Sequence, residues 1–476
     1  MNFLKSIKMH VLDIKTSFLI TFPFLAFQNN PVSCLFSLIM AVLIFLTVIF
    51  ISFFYPFLCL SLALICIYNP YNTYIIFTNL LIYGRIRALI SVFFIVLLSV
   101  GILLKASISK KIVRLKTPLD IPLLLFLIFP VVGAVHGFFV GNSVRLILNE
   151  LFPILEFTAF FFLTTLIIKD RRQCYTILKV IIGWLLIMAS GGIIFYFFAH
   201  SSFAARALLV GSGLIVPRLY DFMPVILFPL LIGLYLYPEE NKPKSIIQNR
   251  IFILCISLIP LLSLLLSFFR SLWIAIIGSL FFKFMLTFRY KRQLKAALGA
   301  FLIAISIFLM IDLFIIPKTT IFDYHSLSSV VYERAFNLKE DQVKAYSISA
   351  RIKNNIFMLA VIYDNPLIGI GLGSDVTNAA PNYYLILACT MGLPALFFAF
   401  WMGYIILILA LRRFKAASGI DKGWILGIAG SFVSVAILIN SFPAILHFPI
   451  PAYMAVMLVC LFTFPYKKDG QLYSRN

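Results

Sequence analysis

Long apolar runs, separated by short basic segments, constrain the fold of this chain more than any other feature. Residues 35–54, LFSLIMAVLIFLTVIFISFF, form one such run. In a lipid bilayer every backbone N–H and C=O must be hydrogen bonded within its own segment, so runs of about 20 apolar residues predict helices. With 62% hydrophobic and 12% charged residues, the chain carries more apolar side chain than a soluble domain can bury. We therefore predict an all-α, polytopic membrane protein.

The basic residues fall in the gaps between these runs, where cytoplasmic loops carry them. The basic segments are the N-terminus and residues 105–116, 169–172, 239–250, 289–295, 412–422 and 467–476. Placing them all inside predicts cytoplasmic termini and out-facing turns, for example near residues 141–145 and 267–271. We expect about 12 spans, within about 10 to 14, because the residues before Lys105 fit roughly two or four.

Composition also excludes several classes of site. The net charge of +22 is explained by cytoplasmic loops, so no nucleic-acid partner is predicted. The seven cysteines fall singly and form no CxxC pair or Cys/His cluster, so neither a structural metal nor a disulfide framework is expected. No internal repeat or separate soluble domain is visible, and residues 1–476 are predicted to form one membrane domain.

The longest predicted connection, residues 317–381, is expected on the outer side and is unusually long at about 65 residues. Its second half predicts an amphipathic helix that begins at Arg351 and lies at the membrane–water boundary. The apolar face of this helix comprises Ile352, Ile356, Leu359 or Ala360, and Tyr363. Ser347 or Ser349 is expected to cap it, and the proline of the sequence DNP is expected to end it.

Three arginines at predicted outer helix ends, Arg218, Arg270 and Arg351, are candidates for phosphate binding, because a guanidinium group grips phosphate in bidentate fashion. Arg270 has apolar sequence on both sides, where an ionisable side chain usually faces a cavity and a partner. The alternative is that each arginine extends to the lipid headgroups. Glu150 and Glu156, which lie in an apolar run, are expected to be structural counter-ions of the arginines rather than catalytic groups.

The stretch DNPLIGIGLGSD, residues 364–375, is rich in glycine. Gly369, Gly371 and Gly373 would let the backbone approach a ligand closely, and successive N–H groups can hold an anion. The alternative is a simple turn that leads the chain into a helix beginning near Asn382. The spacing differs from the GxGxxG loop of dinucleotide-binding proteins, and that interpretation is rejected.

These segments together resemble the O-antigen ligase and O-antigen polymerase superfamily. Its members carry an arginine, a helix that ends in D-x-P-L-x-G-x-G, and then an H-N-x-Y-L helix. The corresponding segments here are Arg351, residues 364–371 and NYYL from Asn382. SFFRSLW, residues 267–273, resembles the S-R-x-x-W element of the family. The similarity covers residues 260–400.

The resemblance implies a glycosyltransferase of the bacterial inner membrane that needs neither metal nor cofactor. Its donor would be an undecaprenyl-pyrophosphate-linked oligosaccharide on the periplasmic face, with a flippase and a chain-length regulator as candidate partners. Arg270 and Arg351 would be catalytic, because they stabilise the departing pyrophosphate. The substrate-binding residues implied are Arg218, Gly369, Gly371, Gly373, Asn382 and Tyr383.

One position departs from the family pattern. Pro381 stands where the family often has a histidine before the asparagine. Either another base serves, or none is needed because pyrophosphate is a good leaving group. The candidate bases are Asp375, His325, Glu333 and His447. The departure favours a polymerase of O-antigen or exopolysaccharide type over a ligase to lipid A-core, which stays the alternative.

The alternative of another class is a transporter or flippase of lipid-linked sugar. Such a protein is expected to show paired repeats, helices broken by glycine or proline, and charges near the membrane midplane. The sequence shows neither a repeat nor a clear midplane path.

Overall fold

The computed structural model of the chain is built almost entirely of helices. The described residues are 50–67, 80–109, 117–198, 208–209, 215–216, 222–237, 250–267, 270–287, 342–374, 382–440, 450–464, 466–468 and 471–473. They divide into two compact units, Met1–Arg114 and Leu115–Asn476. Apart from helices, this part of the chain holds two short antiparallel hairpins, so the all-α prediction is confirmed for it.

The first unit contains α1 (Pro56–Ile67) and α2 (Leu80–Ser109). The second contains α3 (Asp120–Val140), α4 (Val144–Ile167), α5 (Arg171–Phe198), α6 (Pro224–Leu236), α7 (Arg250–Ser267), α8 (Arg270–Thr287), α9 (Gln342–Asp364), α10 (Tyr383–Met391), α11 (Leu393–Ala416), α12 (Ile420–Ile439) and α13 (Ile450–Thr463). The hairpins pair β1 (Leu208–Leu209) with β2 (Ile215–Val216), and β3 (Tyr466–Lys468) with β4 (Gln471–Tyr473).

Six helices of the described residues are long and apolar enough to cross a membrane, namely α3, α4, α5, α7, α11 and α12. The free sides of α3 and α11 present large apolar side chains, such as Phe139 (80% exposed) and Phe397 (65% exposed). Apolar surface on this scale is stable against lipid and not against water. The chain is therefore a membrane protein. The finer count of about 12 spans stays a prediction.

A helix break occurs where the apolar runs predicted one near residues 141–145, because α3 and α4 are separated by residues 141–143. The turn predicted near residues 267–271 lies partly outside the described residues. The basic segment 105–116 was predicted to be a loop, and this is wrong for its first residues because α2 continues to Ser109. Residues 105–109 contain no proline or glycine, so nothing in the local sequence ends the helix at Lys105.

In the first unit, α1 and α2 pack against each other. Ser52, in the helical residues 50–54, donates a hydrogen bond to the Leu97 carbonyl of α2 at 3.0 Å. Gly101 makes room for this contact, because a Cβ there would lie 2.3 Å from Ser52 Oγ. A small residue thus lets two helices approach closely, as is common in membrane proteins.

In the second unit, α6 is the central helix, and all of its side chains are buried. It packs against α5, α7, α8 and, most extensively, α12. Its contact with α12 depends on glycine, since a Cβ at Gly233 would lie 2.4 Å from the Gly423 carbonyl oxygen and 2.6 Å from Gly427 N. A helix that is apolar on all sides is stable only when it is enclosed in this way.

The helix α9 begins at Gln342, nine residues before the predicted start at Arg351. Ser347 and Ser349 therefore lie inside the helix, and the prediction that one of them caps it is wrong. Residues 342–350 contain no proline or glycine, so the helix extends through them. Its predicted end before the proline of DNP is confirmed, because the last helical residue is Asp364.

The two faces of α9 have different surroundings. Met358 and Ile362 are buried against Ile386 and Cys389 of α10. The four residues of the predicted apolar face are exposed, namely Ile352, Ile356, Leu359 and Tyr363. Their position at the membrane–water boundary stays a prediction.

Candidate functional site at the glycine loop

The segment after α9, residues 365–374, is called the glycine loop here. Three of its residues, Gly369, Gly371 and Gly373, have φ angles of 72°, 83° and 76°. Glycine adopts this left-handed conformation without steric cost, whereas other residues rarely do. The alternation of such residues winds the loop along a path that side chains would obstruct.

Each of these glycines meets the backbone of a different helix. A Cβ at Gly369 would lie 2.4 Å from the Cys389 carbonyl oxygen of α10, and one at Gly371 would lie 2.5 Å from Gly137 Cα of α3. A Cβ at Gly373 would lie 2.6 Å from Ile147 N of α4. The loop is therefore packed between α3, α4 and α10, and its glycines have a structural role. Any contact of theirs with a substrate stays a prediction.

Several amides of the loop already donate hydrogen bonds inside the protein. The pairs are Gly369 N to Asn365 O (3.2 Å), Ile370 N to Cys389 O (2.8 Å), Leu372 N to Gly133 O (2.9 Å) and Gly373 N to Glu150 Oε2 (2.9 Å). Because these four donors are occupied, an anion at this site needs other donors, such as arginine side chains.

Glu150 joins the loop to α4. It lies in the second turn of that helix, is half-buried, and accepts the hydrogen bond from Gly373 N. Asn142, in the turn between α3 and α4, fastens the same loop by donating to the Leu372 carbonyl at 2.9 Å. The side chains of Glu150 and Asn142 thus hold residues 372 and 373 of the loop in place.

Tyr383, the first residue of α10, lies within electrostatic range of Glu150. Burial raises the pKa of the Tyr383 phenol, and the negative charge of Glu150 adds to the rise. The phenol is therefore protonated at neutral pH and can donate a hydrogen bond. The Glu150 carboxylate of α4 thus accepts from the loop at Gly373 and acts electrostatically on the start of α10.

Asn382 is the N-cap of α10. Its side-chain oxygen accepts from Tyr384 N at 2.9 Å and from Leu385 N at 3.4 Å, which satisfies two otherwise unpaired helix donors. The predicted start of a helix near Asn382 is confirmed. Tyr384 then fixes the helix to α12 by donating to the Ala436 carbonyl at 2.9 Å.

Of the remaining predicted site residues, the structure describes the backbone of two. The backbone of Arg270 begins α8, and that of Arg351 lies within α9. Arg218, His325, Glu333, Asp375 and His447 lie outside the described residues. The grip of three arginines on one phosphate group stays a prediction.

The sequence interpretation missed two polar contacts inside the second unit. Lys283 of α8 is 1% exposed and donates from Nζ to the Pro229 carbonyl oxygen of α6 at 2.5 Å. Its signal in the sequence is a lysine within the apolar run SLFFKFMLT. The thiol of Cys174 in α5 lies within hydrogen-bonding reach of the Cys460 thiol in α13. No local sequence pattern indicates that pair, because the two cysteines are far apart in the sequence.

No family model matches the chain, and no curated protein matches it. The resemblance to O-antigen ligases and polymerases therefore depends on the motifs of this sequence and stays a prediction.

Proposed function

We propose that this protein is a membrane glycosyltransferase that polymerises a surface polysaccharide of O-antigen or exopolysaccharide type. It would transfer a glycan from undecaprenyl pyrophosphate to a lipid-linked repeat unit on the outer face of the bacterial inner membrane. The observation that carries the proposal is the junction at Glu150. There Gly373 of the glycine loop donates a hydrogen bond to a carboxylate of α4, and Tyr383 at the start of α10 lies within electrostatic range of the same carboxylate.

In this proposal the packed loop is a rigid support. The glycines fix the path of the chain after α9, which carries Arg351, and Gly369 packs it against α10, whose N-cap is Asn382 and whose first residue is Tyr383. Rigid placement of groups around a reacting centre lowers the entropy cost of reaction. Arg270 and Arg351, with Arg218 in support, would stabilise the negative charge that develops on the leaving pyrophosphate.

A ligase that transfers the glycan to lipid A-core or another acceptor stays the alternative within this class. Pro381 in place of the family histidine counts against it. A polymerase would also work beside a flippase that supplies the repeat unit and a regulator of chain length.

Substitution of the arginines tests the proposal in cells that make the polymer. Arg270→Ala and Arg351→Ala are expected to reduce polymer by at least about 100-fold while protein remains in the membrane. Arg270→Lys and Arg351→Lys keep the charge but lose the bidentate contact with phosphate, so these variants should make only part of the wild-type amount of polymer. Arg172→Ala, at the exposed start of α5, is the matched control. Near-normal chain length in the alanine variants would overturn the arginine clamp.

A second candidate function, transport of a lipid-linked sugar, is favoured by Lys283. An ionisable side chain that is enclosed by apolar helices of a membrane protein usually serves a substrate or ion path. Lys283 lies beside Gly430, near the middle of α12, where a Cβ would lie 2.2 Å from Lys283 Cε. Pro229 lies inside the adjacent α6, and helices interrupted by proline often line transport sites.

Lys283→Met separates the two functions. If Lys283 only joins α8 to α6, an apolar side chain of similar length replaces it with little loss, and polymer synthesis should stay within about threefold of the wild type. A transporter that moves its substrate past Lys283 should lose transport in this variant. Loss of all product with normal protein level would therefore favour transport.

A further inference from the structure

We infer that Glu150 is the general base of the proposed transfer, the group that accepts the proton of the attacking hydroxyl. This inference depends on the proposed glycosyltransferase function. It assigns to Glu150 more than the counter-ion role that its position in an apolar run suggested.

Placement distinguishes Glu150 from the other acidic residues. Among the carboxylates of the described residues, Glu150 alone is both half-buried and hydrogen bonded to the glycine loop. Glu156 is fully buried six residues deeper in α4, and Asp364 is exposed at the end of α9. Asp120 and Asp421 are buried and hydrogen bonded to other elements. Glu150 is thus held in position and still reachable.

The Glu150 carboxylate is tied to the loop. The Gly373 N–H donates to one carboxylate oxygen at 2.9 Å. The loop itself is fastened to α3 and to the turn that follows α3 by Leu372, which donates to Gly133 O and accepts from Asn142. A general base must be positioned within hydrogen-bond reach of its proton, and these contacts hold the carboxylate in one place.

The phenol of Tyr383 lies within electrostatic range of the Glu150 carboxylate, whose charge adds to the rise in the phenol pKa that burial causes. In the proposed reaction the acceptor sugar hydroxyl donates its proton to the carboxylate. Tyr383, at the start of α10, supplies a hydrogen-bond donor for the acceptor sugar.

The reaction then balances without another reagent. The acceptor oxygen forms a bond to the anomeric carbon of the donor as the bond from that carbon to the phosphate oxygen breaks. The electron pair of the broken bond leaves with undecaprenyl pyrophosphate. The proton of the acceptor hydroxyl passes to Glu150 and then to water, which restores the carboxylate for the next transfer.

The test uses the full-length protein, purified in lipid, with a short undecaprenyl-pyrophosphate-linked repeat unit as the only substrate. Glu150→Gln keeps an oxygen that can accept from Gly373 N but cannot take a proton. We expect its kcat to fall by about 10²- to 10⁴-fold, with the KM for the substrate within about threefold of the wild type. Glu150→Asp should recover part of the rate. Asp170→Asn, which removes an exposed carboxylate from the start of α5, is the matched control.

Thermal unfolding of the same samples separates chemistry from anchoring. Glu150→Gln should keep the wild-type melting temperature, because the loop is still fastened. If Glu150→Gln keeps the wild-type rate and only Glu150→Ala loses it, Glu150 is a loop anchor and the inference is wrong. If the wild type releases no carrier pyrophosphate, the proposed function fails and the inference with it.

Discussion

The glycine loop meets three helices through three residues that have no side chain. At the residue scale, this explains why the segment DNPLIGIGLGSD is so rich in glycine. Gly371 needs to be glycine for two reasons. Its φ is 83°, and a Cβ there would lie 2.5 Å from Gly137 Cα. Gly392, between α10 and α11, has the same combination, with φ 84° and the Leu367 carbonyl oxygen at 2.1 Å.

The effect of the positive φ and the effect of the close backbone contact can be measured separately by substitution. Gly141 has a φ of 88° but nothing within 4 Å of the position that a Cβ would occupy, so Gly141→Ala should cost about 1 kcal/mol of stability through strain alone. Gly371→Ala adds a clash with backbone and should cost at least about 2 kcal/mol more. Thermal unfolding in detergent measures both. Equal losses in the two variants would show that the loop is not packed against α3 as described.

Candidate functional residues were easier to recognise in the sequence than the residues that contact them. The arginine, glycine and asparagine candidates stand out in the sequence because charges and glycines are unusual among apolar runs. The partners of those residues are decided by tertiary packing. Glu150 is the clearest case, since its contact with Gly373 joins residues more than 200 positions apart in the sequence. Periodicity and spacing carry no information on such a pair.

At the scale of elements, the apolar runs predicted a break between α3 and α4, and this prediction is confirmed. The ends of helices were harder to predict. α9 begins before its predicted start at Arg351, and α2 continues into the segment predicted to be a loop, because neither place has a proline or glycine to stop a helix. The proline of DNP ended α9 where expected. Local breakers are therefore better guides than changes of polarity.

Helix packing around α6 yields a second stability prediction. Gly233→Ala would place a methyl group 2.4 Å from the Gly423 carbonyl oxygen of α12, so the two helices must separate. We expect a loss of about 1–3 kcal/mol and a lower melting temperature. Gly403→Ala is the control on α11, where nothing lies within 4 Å, and its melting temperature should match the wild type. A stable Gly233→Ala variant would contradict the close contact of α6 and α12.

At the scale of the whole molecule, the chain combines membrane-spanning helices with one tightly built polar junction. The spanning helices α3 and α4 present that junction at their shared turn, and α10 completes it. Polar groups enclosed in a membrane protein are costly, so they usually serve a function. The proposed glycosyl transfer uses the junction at Glu150, and the proposed transport uses Lys283 of α8.

The most direct test of the proposed function is a reaction with one substrate. Purified protein in lipid is given a short undecaprenyl-pyrophosphate-linked repeat unit, and the products are separated on a gel. We expect the wild type to make a ladder of multiples together with released carrier pyrophosphate, and Arg270→Ala to lose both. Recovery of the substrate unchanged, with candidate acceptors also present, would contradict a glycosyltransferase.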